Sequence, residues 1–280
     1  MTRELAEAQA GRGEMGTGSG ERPGPSKGPT RREAPVRFAG WVALVTGASS
    51  GIGRAIAKRL AQDGCAVGLV GRDARRLQAV ADEIRPLGTP VTVAVADVRK
   101  EEDVVRAIEA VEQALGPVDI AVNSAGVSLP EFRPVERLSP AQWQEMVEIN
   151  LHGTYYVCHH VVGGMKARGR GAIVNVGSTA AHRCLPGNTP YAASKYGVRA
   201  LTEGLAEECD GTGVRVFLVS PGPVDTPIWD KKSEPVDAAW RAELLKPEDI
   251  AEIVSWWLHL PPRVRIDEIL VRPAKTAPLQ

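Results

Sequence analysis

Tyr191 and Lys195 stand four residues apart, a spacing that puts both side chains on one face of a helix. Thr189-Pro190 just ahead of them marks a helix start, with threonine able to cap and proline taking the first turn. A free phenol loses its proton near pH ~10, and an ammonium beside it at the positive end of a helix is expected to lower that value toward working pH. Tyr191 then reads as a proton donor and acceptor. Ser178 follows Val174-Asn175-Val176-Gly177, just past a strand end, where open parallel sheets bind their ligands. Its hydroxyl can steady a carbonyl oxygen. Alone, each signal has a plain alternative: a surface tyrosine beside a solvated lysine, and a serine that only turns the chain.

A second group of residues would bind an anion. Thr46-Gly47-Ala48-Ser49-Ser50-Gly51-Ile52-Gly53 lies between a β-branched run and the helical pattern Arg54-Ala55-Ile56-Ala57. Gly47 permits a tight turn, Gly51 lets the backbone approach a pyrophosphate, and Gly53 allows close helix packing, while the helix N-terminus supplies unpaired N–H groups. The spacing is TGxxxGxG rather than the commoner GxGxxG. About 20 residues on, an NAD site would place an acid against the ribose 2′-hydroxyl. Here Gly71 leaves that place empty and Arg72 offers a charged planar fork suited to a 2′-phosphate, so NADP is favoured and NAD disfavoured. Asp73 is read as the cap of the next helix rather than as a displaced acid.

These groups need a scaffold. The runs Trp41-Val45, Cys65-Val70, Val91-Ala96, Asp119-Val122, Ala172-Val176, Val214-Val219 and Glu268-Val271 read as strands, nearly continuous in apolar character. Strands covered on both faces look like that, so the expected fold is doubly wound α/β, with a mostly parallel seven-stranded Rossmann-like sheet. The stripe Ile250, Ile253, Val254, Trp257 and Leu258, after Lys246-Pro247, reads as a helix face packed on the sheet. Residues 1–37 carry few large apolar side chains and are expected to be a disordered tail, with 38–280 as one domain.

The 280 residues balance 34 Lys plus Arg against 34 Asp plus Glu, leaving no field of one sign to capture nucleic acid or an anionic membrane. Cys65, Cys158, Cys184 and Cys209 are scattered, which argues against a disulfide framework and a zinc site and fits the cytoplasm. Cys158-His159-His160 is not read as a metal site, because helical neighbours point in different directions.

Several motifs in order make residues Val42 to Pro273 resemble the short-chain dehydrogenase/reductase family, in its shorter single-domain form. TGASSGIG, with Ser49, Ser50 and Ile52, resembles the cofactor turn, and Asp97-Val98 the adenine contact. Asn123-Ser124-Ala125-Gly126 is similar to the NNAG segment, with Ser124 in place of the second asparagine, and Gly177 replaces the first serine of the usual pair. The resemblance makes Ser178, Tyr191, Lys195 and Asn150 the catalytic set. It implies that Pro221, Gly222, Val224 and Thr226 hold a nicotinamide, with Tyr191 and Lys195 at its ribose. Asn123 is as readily a sheet residue as a cofactor contact, and Asp97 could simply end a strand. The implied reaction is hydride transfer between NADP(H) and a carbonyl or secondary alcohol. The ending Ile266–Pro273 resembles that of bacterial members acting on small ketones and 3-hydroxy acids. A homo-oligomer, tetramer or dimer, is implied too, built partly on long helices around Gln142–Lys166 and Tyr191–Cys209. The rival reading is a catalytically idle NADP-binding sensor of the same fold. A nucleotide-sugar epimerase or dehydratase, which shares YxxxK, is disfavoured because no substrate domain is present.

Overall fold

In the computed structural model, which describes residues 38–275, seven β-branched runs form strands. They are β1 Val42–Thr46, β2 Ala66–Gly71, β3 Val91–Val95, β4 Ile120–Asn123, β5 Gly171–Val176, β6 Val214–Pro221 and β7 Glu268–Val271. The expected strands are all present, with ends shifted by a residue or two. The expected tail at 1–37 lies outside the described residues.

Every strand pairing is parallel, in the order β3-β2-β1-β4-β5-β6-β7. The order reverses between β1 and β4, which opens a crevice at the carboxyl ends of those strands. Central strands β1, β4 and β5 are buried throughout, whereas the edges β3 and β7 are not. A continuous apolar run is therefore a property of the sheet's middle.

Helices cover both faces. On one side α1 Gly51–Gln62, α2 Ala74–Ile84 and α8 Pro247–His259 contribute Ile56, Leu60, Leu77, Val80, Ile250 and Val254 to a common core. The α8 stripe packs as expected, and Trp257 stacks on Phe217 with ring centroids 4.7 Å apart. Fully burying one such side chain contributes about 1.5–3 kcal/mol. On the other side α3 Glu101–Leu115, α5 Gly153–Arg168 and α6 Thr189–Glu208 supply Val104, Ile108, Val161, Met165 and Leu205.

The long helix expected around Gln142–Lys166 is present and runs on through a π turn. It consists of α4 Pro140–Val147, a π-helical turn at Glu148–His152, and α5. The extra residue of that turn carries Asn150, and π turns concentrate at functional sites. The start of α6 differs from expectation. Thr189 is already helical, and Asn188 occupies the cap position without a side-chain bond. A short helix, α7 Ala238–Ala242, sits in the connection after β6 and is capped by Asp237.

Candidate active site

A cavity of about 1170 Å³ opens at the carboxyl ends of the strands. Its floor at one end is the turn from β1 to α1. Gly47 and Gly51 hold φ of 65° and 53°, a region L side chains resist. A Cβ at Gly53 would lie 2.5 Å from the Gly47 carbonyl oxygen, so only glycine lets α1 start this close to the turn. The first turn of α1 carries no acidic residue, whereas that of α3 carries Glu101, Glu102 and Asp103. The unpaired N–H groups of α1 therefore face the cavity without a built-in anion, which suits a phosphate.

Gly47, Ser49, Ser50, Gly51, Ile52, Gly53, Arg72, Asp97 and Val98 all line the cavity. The Asp73 side chain accepts from the Arg76 N–H at 3.1 Å, capping α2 as expected. Asp97 is held as a carboxylate by hydrogen bonds from Arg99, which pull its pKa below the usual range. Ala125, Gly126, Pro221, Gly222, Val224 and Thr226 line the middle of the same cavity. Asn123 does not. Its amide is buried in the sheet, donating to Asn175 Oδ1 at 2.9 Å, while Asn175 donates to Thr202. The amide ties β4 to β5 and α6, so the sheet role is the one this residue fills.

Ser178, Tyr191, Lys195 and Asn150 are brought together from β5, α6 and the π turn. Ser178, Tyr191 and Lys195 all line the cavity, with the Ser178 hydroxyl close enough to the Tyr191 phenol to favour its ionised form. Lys195 Nζ lies 5.9 Å from the Tyr191 ring centroid and donates to the Val176 carbonyl at 2.7 Å. Asn150 is fully buried. Its Oδ1 accepts from the Val127 N–H at 2.8 Å and its Nδ2 donates to Ser194 Oγ at 3.0 Å. Gly126 keeps the passage between these groups open: a Cβ there would come within 3.3 Å of Asn150 Oδ1 and 3.8 Å of Lys195 Nζ.

The electrostatics depart from expectation at Tyr191. Its pKa is raised, because burial disfavours the phenolate more than the Ser178 hydrogen bond favours it. Lys195 is the group moved toward neutrality, its pKa lowered to about 8 by burial. Spacing on a helix correctly placed the ammonium near the phenol. It carried no information on how far each would be withdrawn from water, Lys195 being buried and Tyr191 half-buried.

The other end of the cavity is built from side chains far apart in sequence. Phe132, Arg183, Leu185, Trp229, Lys232 and Trp240 line it. Lys232 reaches across to the Leu129 carbonyl at 2.6 Å and lies over the Phe132 and Trp229 rings. Trp229 and Trp240 meet edge to face at 4.9 Å, and Arg241 grips Asp225 and Asp230. Phe132 and Lys232 belong to no motif in the sequence. His182 is engaged by Glu268 at 2.7 Å.

Away from this cavity, Glu101, His159 and His160 gather ligand atoms within 4.8 Å of one another on the surface. His160 bonds Glu101 at 2.9 Å, pinning α5 to α3. Among the described residues, no helix is long and apolar enough to cross a membrane.

The family model for short chain dehydrogenases matches residues 41–237. The chain belongs to the short-chain dehydrogenase/reductase family. It is 39% identical over 234 residues to an uncharacterized oxidoreductase of Staphylococcus saprophyticus, covering 83% of this chain and 97% of the relative. Among solved structures it is similar to an alcohol dehydrogenase from the archaeon Thermococcus sibiricus complexed with 5-hydroxy-NADP. That match has 35% identity and a TM-score of 0.77, over 85% of this chain and 98% of the other. It is also similar to the 3-ketoacyl-(acyl-carrier-protein) reductase of Brucella melitensis complexed with NADH, at 33% identity and TM-score 0.76, over 85% of this chain and 98% of that one. The short-chain dehydrogenase fold explains the layout: the doubly wound sheet puts the glycine turn and the Ser178, Tyr191 and Lys195 groups at one crevice.

Proposed function

We propose that this oxidoreductase interconverts a carbonyl and a secondary alcohol, using NADP(H) as the hydride carrier. The observation that carries the reading is the shared cavity, in which the hydroxyl–phenol–ammonium set lies beside a glycine turn shaped for a pyrophosphate. Gly47, Ser49, Ser50, Gly51, Ile52 and Gly53 would hold the pyrophosphate. Asp97, Val98, Ala125 and Gly126 would line the adenosine side, and Pro221, Gly222, Val224 and Thr226 the nicotinamide side. When bound, the nicotinamide supplies or takes up the hydride.

The chain's own groups manage the proton and the developing charge. In reduction Tyr191 gives its phenolic proton to the carbonyl oxygen, and burial keeps that proton in place until it is needed. The Ser178 hydroxyl donates to the same oxygen as negative charge appears there. Lys195 places a positive charge near the phenol and would hold the nicotinamide ribose, and Asn150 anchors the inner wall through Val127 and Ser194.

The choice of NADP over NAD rests on Arg72, since the structural relatives named above carry cofactors of both kinds. At the substrate end, Arg183, Lys231 and Lys232 line the cavity opposite a single acid, Glu243. That surplus of cations suits the carboxylate of a 3-oxo or 3-hydroxy acid, whereas a small ketone would use only the Ser178 and Tyr191 groups. The purified protein should oxidise NADPH in the presence of some member of a panel of ketones, aldehydes and 3-oxo acids. Cofactor binding without turnover across the panel would favour the idle sensor instead.

A further inference from the structure

Tyr191, Lys195 and Arg199 follow one another at four-residue intervals along α6, so the stripe that carries the phenol and the ammonium continues one turn further. The Arg199 guanidinium lies 3.2 Å from His182 Nδ1. An arginine only donates, so His182 Nδ1 accepts, and the ring is left as the neutral tautomer with its proton on Nε2. That proton points at Glu268 Oε1, 2.7 Å away on the first residue of β7. The same carboxylate oxygen accepts from Ser220 Oγ at 2.6 Å, and Arg199 Nε lies 3.5 Å from Glu268 Oε2. His182 ends the single turn of 3₁₀ helix that Ser178 opens: Ser178 Oγ accepts from the Ala180 N–H, and the His182 N–H donates to the Thr179 carbonyl.

Gly177 fits this cluster. A Cβ there would lie 2.6 Å from Ser220 Oγ, so the missing side chain leaves room for the hydroxyl that bonds Glu268.

We infer that Glu268 is a positioning residue for Ser178, acting through the His182 ring that Arg199 orients. The inference rests on the reductase reading above. The carboxylate ties the outermost strand to the catalytic turn, so its loss lets the Ser178 hydroxyl drift from the carbonyl oxygen while the glycine turn, after β1 in the middle of the sheet, is untouched.

The test uses the full chain, with wild-type turnover of NADPH and a ketone as the reference. Glu268→Ala and His182→Ala should each lower kcat about ten- to hundredfold, the range a small misplacement of a reacting group costs. The dissociation constant for NADPH should stay within about twofold in His182→Ala, which bonds neither the glycine turn nor the Pro221–Thr226 stretch. The double variant should be no worse than either single one, since both act along one path. Glu268→Gln keeps an oxygen able to accept from His182 and Ser220, and should restore most of the lost rate even if Glu268→Ala fails to fold. Wild-type kcat in His182→Ala, additive losses in the double variant, or no rescue by glutamine would overturn the inference. An inert wild-type protein would instead overturn the reductase reading on which it stands.

Discussion

The two ends of the cavity are held by different means. At the cofactor end the constraints are backbone ones: positive φ at Gly47 and Gly51, a carbonyl 2.5 Å from where a Gly53 side chain would begin, and an open helix N-terminus. At the substrate end side chains from four separate segments meet, as when Lys232 reaches Leu129 or Arg241 grips Asp225 and Asp230. Backbone constraints leave few choices of residue and so write a motif. Side-chain assemblies can be met by many residues and write none. The proposed catalytic groups sit between the two, on the first turns of α6 and just past the end of β5.

The largest effect should come from that middle ground. Tyr191→Phe removes the proton donor and keeps the ring, so turnover should fall by about 10²–10⁴-fold with NADPH affinity unchanged, as measured by fluorescence titration beside steady-state kinetics. Near-normal turnover would move the chemistry elsewhere in the cavity. At the cofactor end, Arg72→Ala should weaken NADP binding by about 1.5–3 kcal/mol, the worth of a hydrogen bond to a charged group, and NAD binding hardly at all. Equal losses for both would dissolve the assignment of the 2′-phosphate to this side chain. Gly53→Ala should destabilise the fold by about 1–3 kcal/mol through overpacking against the Gly47 carbonyl, read as a lower denaturant midpoint with impaired cofactor binding. A comparable Ala at Gly204, where a Cβ meets nothing within 4 Å, should cost neither.

A smaller effect distinguishes the two titrating groups. Burial lowers Lys195 to about 8 and raises Tyr191, so as pH rises the ammonium is lost first, while the phenol keeps its proton. Reductive kcat/KM, which reports on the free enzyme, should be flat below about pH 8 and decline above it. Lys195→Arg should remove that limb from whatever activity remains. A limb only near the ordinary amine range would mean that Lys195 is better solvated than its surroundings indicate.

How much of this the sequence shows follows the same division. The strands, the glycine turn, the Asp73 cap and the convergence of Ser178, Tyr191 and Lys195 are consequences of local pattern and strand order. Asn123 was ambiguous because its partners, Asn175 and Thr202, come from two other elements. The π turn at Asn150 leaves no periodic signature, since one extra residue barely shifts an apolar stripe. Nothing local to His182 indicates Glu268, which β7 brings against it from 86 residues away. Tyr191's raised pKa depends on burial, on which the YxxxK spacing is silent.

The central claim concerns a transfer, and it is tested most directly by following the transferred atom. NADPH carrying deuterium at its transferable position, incubated with the protein and the carbonyl panel, should leave one deuterium on the carbinol carbon of a product, detected by mass spectrometry. NADPH that binds yet leaves every carbonyl unlabelled would contradict it.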